Sequence, residues 1–584
     1  MDTSGGAKSA DTIVMREFEQ AGGVEPHYID HRKHNWYADN NNSAYASNQL
    51  YYDLTGVASS GADFVSLKNA FLMLPIVYGM AGASALLQQD TQQAFAMSLK
   101  SNVLNLVHQM QIRLNNNDVV STQPYNNVLQ NFELLTHLSP SDIQIIGPTL
   151  GLEKETPSAF TFQATASNLG LGSCSTSINS AVTGAGSSEN WSPLGGGVQA
   201  SAANMGRIRR MQMSAWNPAV SPIPALGGTF NSSDYNKSRY LGASTVGGNT
   251  VLQWEYTAII PLRFLHDYFE KCPLQRSAHY TLTLHHNINC TGTMAIDTNG
   301  KIASLSVQSP FKVFPFQISP TNSEATATVT GATGLRVTTG NPGTIAFYSA
   351  LVKYNGGTLG GVVIPTQIHG ISQTRIYIPF YTPSPSTSMS MTQSPVKTIR
   401  YHDYQCQPIT GYAPSANISY MLTASLPKLR KLVIFPFYSE GYGPGGAANA
   451  LVVSPLNSPF ASEPSCCSPY CYYRNLQVQI STTNVYPEVR NYRFMNFLEE
   501  MKEQGVFGNQ VIGLETGLIS QADYDSVYGA IVVDLSRHPE AEDAQGKQIR
   551  VSFINSSNFT VDYLCFMVYE REVGVDIDSG TIVV

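Results

Sequence analysis

Apolar residues recur at every second position along much of this chain, a spacing that lines one face of a β-strand and no face of a helix. In Val107–Leu114, His108, Met110, Ile112 and Leu114 alternate with Gln109, Gln111 and Arg113. The turn Asn115-Asn116-Asn117-Asp118 and a return through Val119-Val120 complete a hairpin. The same period runs through residues 280–284, 375–378, 476–480 and 550–553. Residues 530–533 and 561–568 are almost continuously apolar, as strands covered on both faces are. Helical spacing is confined to three short stretches. Val128, Leu129, Phe132, Leu135 and Leu138 form one stripe. Pro261 opens a second, with Phe264/Tyr268 and Leu265/Phe269 four apart and a stop at Cys272-Pro273. Phe494, Phe497, Leu498 and Met501 mark a third, which ends near Gly505.

Long Gly/Ser/Thr/Pro-rich connections, 170–206, 227–250, 319–343, 383–395 and 439–469, separate these elements. Connections of that length usually form functional surfaces. With 584 residues, two large all-β units are expected. The halves echo one another: Phe71-Leu-Met-Leu-Pro-Ile-Val-Tyr78 and Arg375-Ile-Tyr-Ile-Pro-Phe-Tyr-Thr382 both present an apolar strand ending at Pro, and each half carries a later aromatic helix, at 262–271 and 492–503.

Charge is scarce. Asp, Glu, Lys and Arg make up 13% of the chain, against a usual ~25%, while 42% is apolar. Such a surface suits burial against partners, where unpaired charge is costly. A net charge of −7 argues against a nucleic-acid reader. The basic clusters Arg207-Ile208-Arg209-Arg210 and Lys428-Leu429-Arg430-Lys431 are too short to change that and read as solvated or subunit-facing patches. The first 23 residues lack the apolar core of a signal peptide. Residues 70–87, the single stretch of near-spanning length, are interrupted by Pro75, Gly79 and Gly82 and read as a buried strand.

No catalytic constellation emerges. His266-Asp267 and His402-Asp403 are neighbours in sequence, so within each dipeptide the side chains point apart. Gly441 to Gly446 lacks the Lys-Ser/Thr of a phosphate loop. Asp534 and Arg537 read as an ion pair bracing a strand end. The best metal candidate is His27, Asp30, His31 and His34, whose pairs four apart would share a helix face; a flexible arm is the simpler reading. Cys466, Cys467 and Cys471 cluster without a nearby His, so zinc is not expected, and the other five cysteines read as small core residues. Catalytic, cofactor and metal residues are therefore all expected to be none. A glycan-binding β-sandwich with Tyr-rich loops is the rival class.

One ordered set of motifs goes further. It comprises Asn115 to Val120, Phe132-Glu-Leu-Leu-Thr-His-Leu-Ser139, the Leu-His-Asp-Tyr-Phe-Glu-Lys-x-Pro-Leu run at 265–274, Gly517-Leu-Ile-Ser520, Val532-Val-Asp-Leu-Ser-Arg537, Arg550-Val-Ser-Phe-Ile-Asn555, an apolar strand through Tyr569, Val573-Gly574 and Gly580-Thr581. In this order the set resembles the double jelly-roll major capsid proteins of Polinton-like viruses and virophages. The resemblance implies an all-β fold of two tandem eight-stranded jelly rolls. It also implies a non-enzymatic shell subunit without cofactor, whose homotrimers form pseudo-hexameric capsomers of an icosahedral double-stranded DNA virus. Its partners would be neighbouring capsomers, a single jelly-roll penton protein and minor capsid proteins, inside the host cell and then in the virion, with no sequence-specific nucleic acid and no membrane span. The divisions expected are a flexible arm at 1–46, a first jelly roll at 47–365 and a second at 366–584.

Overall fold

A computed structural model describes residues 29–583, except 42–44, 55–62, 84–94, 101, 153–238, 297–301, 312, 321–342, 394, 440–455, 458, 460–466, 468–470, 504–516, 527, 537–544 and 558–559. Sixteen of its strands form two copies of one pattern. The first eight are β1 (Ile29–Ala38), β2 (Gln49–Asp53), β3 (Phe71–Ala83), β4 (Val107–Leu114), β5 (Asn117–Val120), β6 (Asn249–Pro261), β7 (Tyr280–His286) and β8 (Arg375–Pro383). The next eight are β9 (Val396–Tyr412), β10 (Asn417–Leu426), β11 (Leu429–Tyr438), β12 (Tyr473–Ile480), β13 (Thr483–Asn484), β14 (Ile531–Asp534), β15 (Lys547–Asn555) and β16 (Val561–Asp576).

In the first unit the sheets run β1-β8-β3-β6 and β2-β7-β4-β5. In the second they run β9-β16-β11-β14 and β10-β15-β12-β13, the same order eight strands on. Neighbouring strands are antiparallel throughout. This is the wrapped Greek-key order of a jelly roll, so the chain is a double jelly roll. Each sandwich closes its core from both inner faces. In β7, Tyr280, Leu282, Leu284 and His286 are buried, and the residues between them are half-buried.

Strand β3 serves two partners on one edge. Its Phe71–Met73 stretch pairs with β8, and Ile76–Gly82 pairs with Gly343–Leu351, a strand of the β7–β8 connection. Pro75 stands at the changeover, where a missing N–H interrupts the ladder least. This strand takes up Phe71–Ala83 of the apolar stretch at 70–87, and among the described residues no helix is long and apolar enough to cross a membrane.

Described parts of the β3–β4, β7–β8 and β11–β12 connections meet at one end. Phe95–Leu99, between β3 and β4, pairs with Phe316–Pro320, between β7 and β8. The latter region also takes up the second roll: Phe314 N–H donates to Leu456 O (2.9 Å), between β11 and β12. At the opposite end the chain's last residues clasp the first roll. Arg276 N–H donates to Ile577 O (2.8 Å), and Asn115 Nδ2 donates to Gly580 O (2.7 Å). Gly580 has φ +65, and a Cβ there would lie 2.4 Å from Ala278 Cα, so this close approach needs glycine.

Several expectations are corrected. Residues 29–38 are not part of a flexible arm: they form β1, the edge strand of the first sheet, paired along β8. The first roll therefore closes at Pro383 rather than at 365, because β8 hydrogen-bonds to β1 and β3. The crossover to β9 runs through the short helix α4 (Pro385–Thr392), inside the segment read as a loop. The echo between Phe71–Tyr78 and Arg375–Thr382 is not the duplication either, since those strands are neighbours in one sheet; the positional counterpart of β3 is β11, which also carries a proline, Pro436. Residues 170–206 lie outside the described residues, and the segment 227–250 contains the strand Arg239–Val246, which pairs with β6.

Candidate functional site

The seam between the rolls holds a constellation of charged and polar groups. It is built by helix α1 (Asn126–His137), which follows β5, and by the short helix α3 (Asp267–Lys271), which follows β6; both pack against the second roll's β9-β16-β11-β14 sheet. Phe132 of α1 meets Phe435 of β11 edge-on at 5.1 Å and lies 6.3 Å from Phe497 of helix α5 (Phe494–Glu503), which occupies the same place between β13 and β14 that α1 occupies between β5 and β6. The sheet is thus covered on both faces, which explains the continuous apolar run of β16. Of the stripe Phe494, Phe497, Leu498 and Met501, Phe497 and Met501 are fully buried and Phe494 and Leu498 half-buried; Glu500 is also buried. Its carboxylate accepts from Tyr486 Oη (3.0 Å) and Asp534 N–H (2.8 Å).

The two His-Asp dipeptides interlock across this seam. His266 Nε2 stands 3.6 Å from Asp403 Oδ1, both side chains almost fully buried, and His402 Nδ1 stands 3.4 Å from Asp267 Oδ2 at a wetter position. His402 N–H also donates to Asp267 Oδ2 (3.0 Å). His266 Nδ1 caps α3 by accepting from Tyr268 N–H (3.1 Å), so the ring's proton lies on Nε2, toward Asp403. Asp403 further accepts from Arg571 Nη1 (3.0 Å) and Tyr404 N–H (2.8 Å). Burial pushes the Asp403 carboxyl up, but His266 and Arg571 outweigh it and hold it below the usual carboxylate range. At Asp267, burial is likewise outweighed by His402 and Lys271. Beside them Lys431 pairs with Glu133, and Tyr401 Oη donates to Val119 O of β5. A cavity of about 490 Å³ opens against this network, floored by Leu129, Leu134, Phe264 and Val568. Within its lining Ser536 Oγ donates to Asp534 Oδ1 (2.7 Å), a contact that closes the turn after β14.

The residues singled out from sequence fall as follows. His27 lies outside the described residues. Asp30, His31 and His34 lie on the strand β1, neither on a helix nor in an arm; His31 and His34, three apart, point to opposite faces, and the ladder is irregular at Asp30. Among the described residues no cluster of His, Cys, Asp and Glu could hold a metal. Arg537, Arg207 to Arg210, Gly441 to Gly446 and Cys466 lie outside the described residues. Asp534 accepts from Ser536 N–H (2.9 Å) in the turn after β14. In the cluster at 428–431, Lys428 pairs with Glu572 (3.1 Å) and Arg430 with Glu570 (3.0 Å) at partly exposed positions, while the largely covered Lys431 pairs with Glu133. Cys272, Cys290, Cys406, Cys467, Cys471 and Cys565 are free thiols, and all but Cys471 are buried. Melting of the full chain is expected to shift by less than a few degrees on adding chelator or reductant; a larger drop with either would reveal a metal or disulfide that folding requires.

No family model matches the chain, and no curated protein does. Solved structures do. The Sputnik virophage structure matches at 12% identity over 96% of this chain and 89% of that one, with a TM-score of 0.42. The mavirus major capsid protein matches at 9% identity, over 94% of this chain and 89% of that one, with a TM-score of 0.39. The PBCV-1 virus capsid matches at 7% identity, over 96% and 99%, with a TM-score of 0.39. The assignment of a double jelly roll rests on the strand order of the chain itself.

Proposed function

We propose that this chain is the major capsid protein of an icosahedral double-stranded DNA virus, a non-enzymatic subunit that works as a homotrimer. The observation that carries the reading is the repeated strand order: two jelly rolls in one chain, joined along a buried seam, with the described parts of the β3–β4, β7–β8 and β11–β12 connections at one end and the inter-roll crossover at the other. Such a subunit has two similar lobes, so three copies around an axis present six and fill a hexagonal position in a shell. Strands standing normal to the shell expose their end loops outward and pack sideways without an open sheet edge. The low charge, 13% of residues, fits sides that are buried between neighbouring capsomers. Penton and minor capsid proteins are further partners on this reading, and the chain resides in the virion. Size-exclusion chromatography with light scattering, followed by electron microscopy of the purified chain, tests it. Stable trimers or particles are expected, and a persistent 63.4 kDa monomer would overturn the reading in favour of a monomeric binding sandwich.

A further inference from the structure

Three histidines meet where the long connections leave the first roll. His108 lies on β4, and His285 and His286 end β7. His108 is 3% exposed and His286 fully buried. The His108 ring lies flat on Phe311 (centroids 4.5 Å, planes 7° apart) with Tyr125 edge-on at 4.9 Å; His285 meets the same Phe311 ring at 6.2 Å. His286 Nδ1 accepts from Ile288 N–H (3.3 Å), and its backbone N–H donates to Asn48 O (2.9 Å). Its Nε2, like His108 Nδ1, is buried with no anionic partner, the nearest polar groups being the Ser47 backbone and the Asn127 side chain. The next residue roots the connection: Asn287 N–H donates to Leu106 O (3.2 Å), its Nδ2 to Val313 O (3.1 Å), and its carbonyl accepts from Cys290 Sγ (2.9 Å).

We propose that this cluster makes the loop end of the first roll acid-labile: protonation of His108 and His286 frees the roots of the connections at 84–106 and 287–374 while the second roll stays closed. A proton on either ring would have no anion to meet. The titratable groups that act on the two rings are His285, common to both, and Tyr125 against His108. The remaining polar neighbours, Asn127 at His108 and the Ser47 and Asn48 backbone at His286, carry no charge. His285 becomes a second cation on acidification and adds repulsion. Burial pushes both His108 and His286 down to about 3. Because these values lie below the ordinary ~6.5, the opened form takes the proton and the closed form does not. The closed state is therefore fully favoured above about pH 6.5 and loses ground as pH falls toward 3. Each ring favours opening by about tenfold per pH unit, about 30-fold at pH 5.

The test is thiol labelling of the full chain with a dipyridyl disulfide at about pH 7.5 and about pH 5. Peptide mass spectrometry then gives the rate at Cys290, buried beside Asn287, relative to Cys565, buried in β16 of the second roll. The ratio cancels the pH dependence common to the two thiols. A rise in the Cys290/Cys565 ratio of tenfold or more at the lower pH is expected. An unchanged ratio, or equal acceleration at both cysteines, overturns the proposal, the second outcome showing global unfolding instead. His108→Gln with His286→Gln should flatten the response, and a response as steep as that of the unaltered chain would also overturn it. Should the double variant fail to fold, His286→Gln alone serves, with half the pH steepness expected. The measurement is made on the subunit itself, so its outcome is independent of whether the chain forms trimers.

Discussion

Phe497→Ala is expected to destabilise the full chain by about 3–5 kcal/mol and to abolish assembled species, while Glu499→Ala costs less than about 0.5 kcal/mol and assembles normally. The Phe497 ring is fully buried, stacked on Tyr524 at 4.8 Å and tilted against Phe494 and Phe132 at 6.3 Å. Through Phe132 it touches the first roll, so its loss opens a cavity that reaches the seam. Glu499, two residues on, is 60% exposed and meets Arg490 at 3.6 Å, a surface pair of small worth. Chemical denaturation of both variants, with light scattering of the native material, decides the point. Equal behaviour would mean that helix α5 does not present this face to the core.

The second large effect is expected at Asp403. Replacing it with Ala strands the buried His266 ring and leaves Arg571 without its counter-charge, at a cost of about 3 kcal/mol. Asp267→Ala, at the more exposed member of the crossed pairs, should cost below about 1 kcal/mol. Thermal unfolding of the two variants checks this, and a stability for Asp403→Ala within about 0.5 kcal/mol of the unaltered chain would show that the seam does not depend on the inner pair. The sign with pH is distinctive. The Asp403 carboxyl lies below its ordinary value in the folded chain, so its contribution is complete above about pH 4 and is lost as pH falls through the folded value. The histidine effect at the loop end begins near pH 6.5, two units higher, and the two can be separated in one titration.

Both sites show what a linear reading reaches and where it stops. The alternation in Val107–Leu114 placed β4 and its hairpin partner correctly, since strand side chains alternate whatever the strand packs against. The stripe at Phe494, Phe497 and Met501 likewise foretold a buried helix face, but Glu500 reads as solvent-facing until its partners Tyr486 and Asp534 are known. The polar segment before Ala46 read as an arm because it has few apolar residues. An edge strand can be polar, because the hydrogen bonds that hold it come from the backbone of its neighbour, here β8.

Local periodicity and turn chemistry determined that this chain is all-β and placed its β4–β5 hairpin and the buried face of helix α5. Those properties depend on residues within a few positions of one another. Tertiary structure alone decided which strands are neighbours, where the first roll ends and what the His-Asp dipeptides do. The residues involved stand far apart in the chain: Ile29 with Pro383, His266 with Asp403, Asp267 with His402. Within each dipeptide the side chains diverge, and each finds its partner in the other roll only because α3 and β9 are brought together across the seam. A sequence carries the chemistry of such groups, whereas the low dielectric and close approach that couple them arise only when two folded sandwiches exclude water between them.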